Sequence, residues 1–230
     1  MRASTSIRVS RDARGRSVVD SLRCEAPLLV RVDGGSEVLT LLLVGGAAGP
    51  VGGDDLGFEL DIDDGASVVV RSIAATLAQP GPTGESSRAM SRVRVGSGAS
   101  LDWCTEPLIS VRGSDHHVRF ELDVATDARA RITESFRLGR SHEPSGTLSV
   151  RQRISRAGAV MLDHESRMGD GAFASSGANG PWRWWTSTVV VGPEASVETS
   201  SSVSDDHVSG GFAVTDGLWI GVTGAMTSLT

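Results

Sequence analysis

The chain has 230 residues, a formal net charge of −6 and a pI near 5.4, and 39% of its residues are hydrophobic. All 22 basic residues are arginine, and neither lysine nor tyrosine occurs. Walker-type phosphate loops, protein kinases and Schiff-base sites all need a lysine, so the composition argues against nucleotide-driven or pyridoxal chemistry on this chain. The net negative charge also argues against binding to nucleic acid or to an anionic membrane by electrostatic attraction.

The beginning of the sequence and its cysteines bear on location. Residues 1–10 are polar and contain arginine, unlike the apolar core of a signal peptide. The longest apolar run, residues 38–48, contains two glycines and is too short to span a bilayer. Cys24 and Cys104 fit a reduced compartment better than a disulfide framework. We therefore expect a soluble, cytoplasmic protein.

Apolar and polar residues alternate along most of the chain, which is typical of half-buried β-strands. The alternation is clearest over residues 58–62, 118–124, 128–138 and 148–154. Glycine, serine and β-branched residues interrupt almost every window that a helix would need, which leaves residues 72–91 and 166–186 as candidates for short helices. The sequence predicts a mainly β protein, a single domain over residues 1–230, with one or two short helices.

A turn followed by alanine and then a strand recurs five times. The alanines are 29 to 36 residues apart, and they are Ala66, Ala99, Ala128, Ala159 and Ala195. Each interval has room for two or three short strands. Such a period favours units that stack on one another, because no single unit buries its own apolar face. We predict stacked, β-helix-like strands, with a plain sandwich or barrel as the alternative.

Two adjacent carboxylates follow the glycine-rich turn of residues 49–53. Because side chains alternate along a strand, Asp54 and Asp55 leave the turn on opposite sides of the strand that begins there. One interpretation is a turn with solvated acids, since turns are rich in glycine and aspartate. The other makes one of the two an inward-pointing carboxylate at a site.

Glu134 is in phase with the apolar residues of its strand, which are Ala130, Ile132, Phe136 and Leu138. A buried carboxylate is costly unless it is paired, hydrogen-bonded or wetted by a cavity. We therefore expect either a buried arginine–glutamate pair or a carboxylate that lines a polar channel or ligand site.

The histidine-containing segments give weaker signals. In the segment 163–165 only Asp163 and Glu165 can share a face, and a solvated strand end is the simplest interpretation. His116 and His117 point in opposite directions if they lie on a strand, so a surface turn is expected there rather than a metal site.

Catalytic motifs are not found. The sequence contains no nucleophile elbow, no HExxH helix and no CxxC pair. Trp103, or the cluster at residues 182–185, could stack a sugar beside a carboxylate pair. The same cluster could instead contact a partner protein, because tryptophan and arginine are common in interface hot spots.

Several segments resemble, in order, those of the urease accessory protein family UreD, also called UreH. They are residues 52–56, residues 64–66 leading into 74–76, residues 98–103 with 106–109, residues 128–131 with Glu134 and 138–140, and residues 156–158 with Leu162 and Glu165. Their order and spacing hold over about residues 20–170. The resemblance departs at residues 77–80, where the family has an aromatic–Arg–Ser pattern, and it is weak from Trp182 onward.

This resemblance implies a β-helical, non-enzymatic chaperone of urease maturation. In the family, the protein acts with UreF and the GTPase UreG on apo-urease, and a polar, water-filled tunnel is thought to carry nickel. The acidic and hydroxyl positions of that tunnel correspond here to Asp54, Asp55, Thr76, Glu134 and Glu165. Nickel would then be in transit through this chain. The nucleotide would bind a partner protein, which agrees with the absence of lysine here. Carboxylates and waters hold nickel(II) weakly enough for transfer.

Two other functions stay open. The first is a carboxylate-pair glycoside hydrolase on a β-helix, which needs two carboxyl groups roughly 5–9.5 Å apart in an open groove. The second is a β-rich adaptor protein without a metal route.

Overall fold

The computed structural model describes residues 1–34, 37–169, 182–193, 195, 200–204, 207–215 and 217–225. In these ranges the chain forms strands and no helix. The strands are β1 (Arg2–Arg11), β2 (Ser17–Arg23), β3 (Leu28–Asp33), β4 (Val38–Gly45), β5 (Asp55–Ile62), β6 (Ser67–Ser72), β7 (Thr76–Ala78), β8 (Ser87–Val95), β9 (Ser100–Cys104), β10 (Leu108–Ser110), β11 (Asp115–Val124), β12 (Arg129–Leu138), β13 (Thr147–Arg156), β14 (Ala159–Gly169), β15 (Trp184–Val191), β16 (Ser200–Val203), β17 (His207–Thr215) and β18 (Leu218–Ala225).

The strands form two sheets. Sheet A has the order β14-β13-β11-β8-β5-β1-β2, and sheet B has the order β16-β17-β18-β15-β12-β9-β6-β4-β3, with β7 and β10 attached beside β12. From β5 to β13 the chain alternates between the sheets, and its strands pair in parallel with those of the preceding coil. Antiparallel strands flank this region on both sides. The arrangement is a flattened β-solenoid, which confirms the prediction of stacked β-helix-like strands.

Three of the five repeated alanines lie at the corners where the chain passes from sheet A to sheet B. Ala66, Ala99 and Ala128 are buried, and backbone hydrogen bonds of 2.9 and 3.0 Å from Ser100 N to Ala66 O and from Arg129 N to Ala99 O tie successive corners together. The other two alanines differ. Ala159 begins the second strand of the β13–β14 hairpin, and Ala195 follows the antiparallel strand β15.

The expectation of a short helix at residues 72–91 is wrong. These residues form the end of β6, the three-residue strand β7, a loop and the start of β8. The parallel pairing of β7 with β10 fixes an extended backbone, and the loop at residues 79–86 contains two prolines and two glycines. Of the other helix candidate, residues 166–169 and 184–186 lie in β14 and β15, and residues 170–181 are outside the described residues.

The main hydrophobic core lies between the two sheets, next to the alanine corners. Trp103 is at its centre, and its ring contacts those of Phe58 and Phe120 edge to face, with centroids 5.6 and 5.1 Å apart. A second, smaller cluster packs around Phe136 and Leu148. In the part of the chain that is described, no helix has the length and apolar character needed to cross a membrane.

Candidate functional site

A break in sheet B gives access to the space between the sheets. Strand β12 is continuous, but β9 pairs with it only as far as Thr133 and β10 begins pairing only at Phe136. Glu134 and Ser135 therefore lack a strand neighbour on that side. Residues 105–107 leave the sheet at this level, and residues 73–75 do the same between β6 and β7. These aligned breaks in neighbouring coils form an opening, here called the window.

A cavity of about 230 Å³, the window cavity, lies behind this opening and is lined by both sheets. Most of its wall is apolar, and the polar side chains in the wall are Ser72, Thr76, Ser91, Thr105, Glu106, His116, Glu134 and Ser135. Ala74 and Glu106 belong to the lining and are exposed, so the cavity reaches solvent at the window.

Glu134 is the acid that enters this cavity. It is 7% exposed, and its Oε2 accepts a hydrogen bond of 2.8 Å from Gln152 Nε2. Burial raises the pKa of the Glu134 carboxyl to about 7, although the hydrogen bond from Gln152 lowers it. The predicted inward direction is confirmed. The partner is an amide, which leaves the carboxylate without a countercharge of its own.

His116 is a second titratable group in the wall, and the sequence interpretation placed it wrongly in a surface turn. Its side chain is fully buried, and Nδ1 lies 2.8 Å from Ser87 Oγ. Nε2 has no partner among the described residues. Burial lowers the pKa of His116 to about 4, and the charge of His117 contributes to this shift. The missed signal is the alternation of β11: His116 is in phase with the buried Phe120.

A second cavity, also about 230 Å³, lies beside the β13–β14 hairpin and is here called the hairpin cavity. Phe136 lines both cavities, and Gln152, which is hydrogen-bonded to Glu134, lines the hairpin cavity. His164 and Val214 line it as well and are exposed, so this cavity also reaches the surface. The Glu134–Gln152 pair therefore lies between two cavities that open in different parts of the molecule.

Two other residues implied by the resemblance lie on or near the window cavity. Thr76 is half-buried and lines it at the window. Asp54 is buried, and it accepts hydrogen bonds of 2.8 Å from Val51 N and from the Met1 amino group. Asp54 does not itself line the cavity, but Gly49 and Pro50 of the same turn do.

The remaining two acids point away from both cavities. Asp55 is exposed, with its carboxylate 3.5 Å from Arg2, so the prediction that Asp54 and Asp55 diverge is confirmed. Glu165 is exposed, and it accepts a hydrogen bond of 2.7 Å from Ser149 Oγ. The expectation that Glu165 points inward is corrected, because it lies opposite Arg151 on the solvent face of sheet A.

The wall does not form a tight metal cage or a sugar platform. Among the described residues, no group of three or more His, Cys, Asp and Glu side chains is placed to hold a metal ion. Trp103 borders the window cavity, but it is buried and packs edge to face against two phenylalanines, so its ring face is not presented to solvent as a stacking surface. Trp184 stacks beneath the Arg137 guanidinium, which lies 5.4 Å from its ring centroid.

Comparison with known proteins identifies relatives over most of this fold. The family model described as "UreD urease accessory protein" matches residues 1–228. The urease accessory protein UreD of Parafrankia sp. (strain EAN1pec) is 41% identical over 155 residues, which are 67% of this chain and 52% of that protein. The UreD protein of Frankia alni is 34% identical over 80% of this chain and 65% of its own length. The UreD protein of Streptomyces coelicolor is 38% identical over 79% of this chain and 71% of its own length.

The matched part thus spans about half to seven-tenths of the length of these curated relatives. The match runs through the window, Glu134 and both sheets, because the family model extends over nearly all of the sequence. The resemblance seen in the ordered sequence segments is confirmed, and this chain belongs to the UreD family of urease accessory proteins.

Proposed function

We propose that this protein is a non-catalytic accessory factor of urease maturation, which passes nickel toward the active site of apo-urease. It would act in the cytoplasm, in a complex with a UreF-like accessory protein and a UreG-like GTPase. Its family and the names of its relatives support a role in urease maturation. The absence of lysine from the sequence supports placing nucleotide hydrolysis on a partner chain.

The observation that carries the proposal is the buried carboxylate of Glu134 in a cavity that is reached through the window. Nickel(II) accepts oxygen ligands, and a carboxylate supplemented by waters binds it less tightly than a set of imidazoles or thiolates. Delivery requires such exchangeable binding. Glu134 is the buried acid of this cavity, and Glu106 is exposed at its mouth. A buried carboxylate without a countercharge of its own suits a transient site better than a resident one.

The route proposed here uses the residues that the fold brings together. Thr76 supplies a hydroxyl group at the window, and Glu134 supplies the carboxylate behind it. Ser135 also borders the cavity, but its Oγ lies 3.0 Å from Thr186 Oγ1. Asp54 lies behind the wall at Gly49 and Pro50, where the Met1 amino group, 2.8 Å away, compensates its negative charge. Asp55 and Glu165 face solvent on other surfaces and are not part of this route.

The test is urease activation at limiting nickel in cells that produce Glu134→Gln in place of the wild-type chain. Glutamine keeps the size of the side chain and its capacity to hydrogen-bond Gln152 but removes the carboxylate. We expect reduced activation that excess nickel restores. The matched control is Glu59→Gln, which removes an exposed acid that lies 3.4 Å from Arg92 on the solvent face of sheet A.

Assembly of the complex is measured in parallel by co-purification of the partner proteins. Equal activation by Glu134→Gln and Glu59→Gln at limiting nickel, with both complexes intact, refutes the role of the carboxylate. Failure of the wild-type chain to co-purify with a UreF-like protein refutes the proposed assembly.

A further inference from the structure

A groove rich in arginine lies just beyond the end of β12, at the opposite end of that strand from the corner at Ala128. Its guanidinium groups come from β12, from the loop that follows it and from the turn after β10. The polar lining of this surface, here called the arginine groove, consists of Arg112, Arg137, Arg140, Ser141, His142 and Glu143. It shares no lining residue with the window cavity or the hairpin cavity.

The loop between β12 and β13 holds the arginine groove in one shape. Arg183, which lies just before β15, donates hydrogen bonds to the backbone oxygens of Leu138 and Glu143. Gly139 has φ = +76°, and a Cβ added there would lie 2.5 Å from Glu143 O, so only glycine fits this position. Gly139 N also donates to Ser110 O at 2.8 Å, which ties the loop to the end of β10. Such preorganisation lowers the entropic cost of binding a partner.

The arginine groove carries more positive than negative charge. Arg140 Nε lies 2.7 Å from Glu143 Oε2, and this hydrogen bond, helped by the charge of Arg112, lowers the pKa of Glu143 to about 2. Arg112 and Arg137 have no carboxylate partner within the described ranges, where Arg137 Nε is buried without a hydrogen-bond acceptor. Three guanidinium groups thus face one carboxylate. The surplus of two positive charges is local, since the whole chain has a net charge of −6.

Two tryptophans border the arginine groove. Trp184 lies directly opposite Arg137 in the β12–β15 pair, and its ring centroid is 5.4 Å from the guanidinium carbon. Trp182 comes immediately before Arg183 and is half-buried, as is Trp184. Tryptophan and arginine are enriched among the residues that contribute most to binding at protein interfaces. This composition favours a surface that contacts a protein.

The openness of the arginine groove also favours a protein over a small anion. Arg112, Arg140, Ser141 and His142 are all exposed. Sites for small molecules usually bury most of the ligand surface, whereas a free anion in this groove would keep much of its hydration. A protein partner brings its own surface, which excludes water from the ion pairs at the centre of the contact.

The chemistry of the partner follows from the guanidinium groups. Arginine binds carboxylates through two parallel hydrogen bonds, and the stack on Trp184 fixes the plane of the Arg137 guanidinium. We propose that the arginine groove docks a carboxylate-bearing segment of a partner protein in the maturation assembly. This inference rests on the proposed assembly with partner proteins and is independent of the nickel route through the window.

The first experiment measures binding of a fluorescent peptide in which glutamate alternates with glycine, followed by fluorescence anisotropy on the full chain. We expect Arg112→Gln to weaken binding about tenfold, the effect of losing a hydrogen bond between charged groups. The matched control is Arg131→Gln, which removes an exposed arginine from the same strand as Arg137, about 20 Å along β12. Thermal unfolding of both variants confirms that they fold like the wild-type chain.

Inorganic phosphate at constant ionic strength is the competitor in this experiment. We expect it to displace the peptide poorly, because the open groove leaves a small anion hydrated. Displacement by phosphate as effective as by unlabelled peptide would identify a general anion site and overturn the proposal. Equal peptide binding by Arg112→Gln and Arg131→Gln would overturn it as well.

The second experiment uses the charge reversal Arg112→Glu, with Arg131→Glu as its control, in cells that activate urease. Co-purification of the partner proteins and urease activation are both measured. We expect Arg112→Glu alone to reduce co-purification and activation, because the reversed charge repels the partner's carboxylates. Excess nickel should not restore this loss, in contrast to the loss expected for Glu134→Gln.

The outcomes separate docking from nickel transfer. If Arg112→Glu and Arg131→Glu assemble and activate urease alike, the docking role is refuted, and the result for Glu134→Gln still decides the role of the buried carboxylate. Restoration of Arg112→Glu by excess nickel, with the complex intact, also refutes docking. A complex lost only in Arg112→Glu, beside an intact complex in Glu134→Gln, supports it.

Discussion

The space between the two sheets has a closed half and a hollow half. Next to the corners at Ala66, Ala99 and Ala128 it is filled by the main hydrophobic core. Toward the window it holds two cavities and the pair Glu134–Gln152. Strand β12 passes through both halves, but its neighbouring strand changes. Strand β9 pairs with the first half of β12, whereas at Glu134 no strand pairs with β12 on the same edge. Complete coils close the core, and breaks that coincide in adjacent coils open it.

The largest effect should come from truncating a side chain in the closed half. Ile132 is 0% exposed, and Ile132→Ala is expected to lower the free energy of unfolding by about 2–5 kcal/mol. Leu108→Ala, in the wall of the window cavity, should cost clearly less, because that side chain is half-buried and already borders open space. Chemical denaturation of both variants checks this difference. Equal losses would mean that the hollow half is packed as tightly as the closed half.

The next prediction concerns the two titratable groups of the hollow half. Glu134 has a pKa of about 7 in the folded protein against an ordinary value of 4.5, so the folded state holds the extra proton between these values. Its stabilising contribution is present below pH 4.5 and is lost as the pH rises to about 7. His116, with a pKa of about 4 against 6.5, behaves oppositely: its contribution is present above pH 6.5 and is lost as the pH falls toward 4.

These opposite slopes largely cancel in the wild-type protein between about pH 4.5 and 6.5. In the Glu134→Gln variant only the contribution of His116 remains. The free energy of unfolding of this variant should therefore rise by up to about 3 kcal/mol from pH 4 to 6.5. In the His116→Gln variant only the contribution of Glu134 remains, so its free energy of unfolding should fall between pH 4.5 and 7. Urea denaturation in a pH series measures all three proteins without nickel. If stability depends on pH in the same way in all three proteins, burial shifts the pKa of neither Glu134 nor His116.

The sequence predicts the closed half better than the hollow half. Alternation in β12 is a local property, so it indicates the inward direction of Glu134, and the alanine repeat marks three corners. The window depends on residues 73–75 and 105–107 leaving neighbouring strands at the same level, which only the stacking of the coils determines. For Glu165, only the family resemblance implied an inward position, whereas the sequence of residues 163–165 indicated a solvated strand end, and Glu165 is exposed. Its face follows from the register of the β13–β14 hairpin, which contains a shift between Ile154 and Ser155.

A smaller effect is expected at the corners that support the closed half. Gly98 has φ = +62°, and a Cβ added there would meet no atom within 4 Å. Gly98→Ala should therefore cost about 1–2 kcal/mol from backbone strain alone. Asparagine tolerates this conformation better, so Gly98→Asn is expected to recover part of the loss. Thermal unfolding of the two variants measures the difference, and a loss that is the same for both would point to a cause other than the left-handed backbone.

The smallest effect should come from the solvent face of sheet A, where charges of opposite sign alternate across the strands. Arg92 is 3.4 Å from Glu59 on one side and 3.2 Å from Glu121 on the other, and Arg94 pairs with Asp61 at 2.9 Å. Because the Arg92 side chain is 58% exposed, Arg92→Gln is expected to cost less than about 1 kcal/mol. This loss should shrink further in high salt, which screens exposed pairs.

Measuring Arg92→Gln and Ile132→Ala by urea denaturation at low and high salt tests what holds successive coils together. Parallel sheets are usually covered on both faces, whereas this face carries charges and meets solvent. If burial between the sheets holds the coils, the cost of Ile132→Ala is independent of salt and several times that of Arg92→Gln. A salt-sensitive loss at Arg92 as large as the loss at Ile132 would instead make the charged rows the main support of the solenoid.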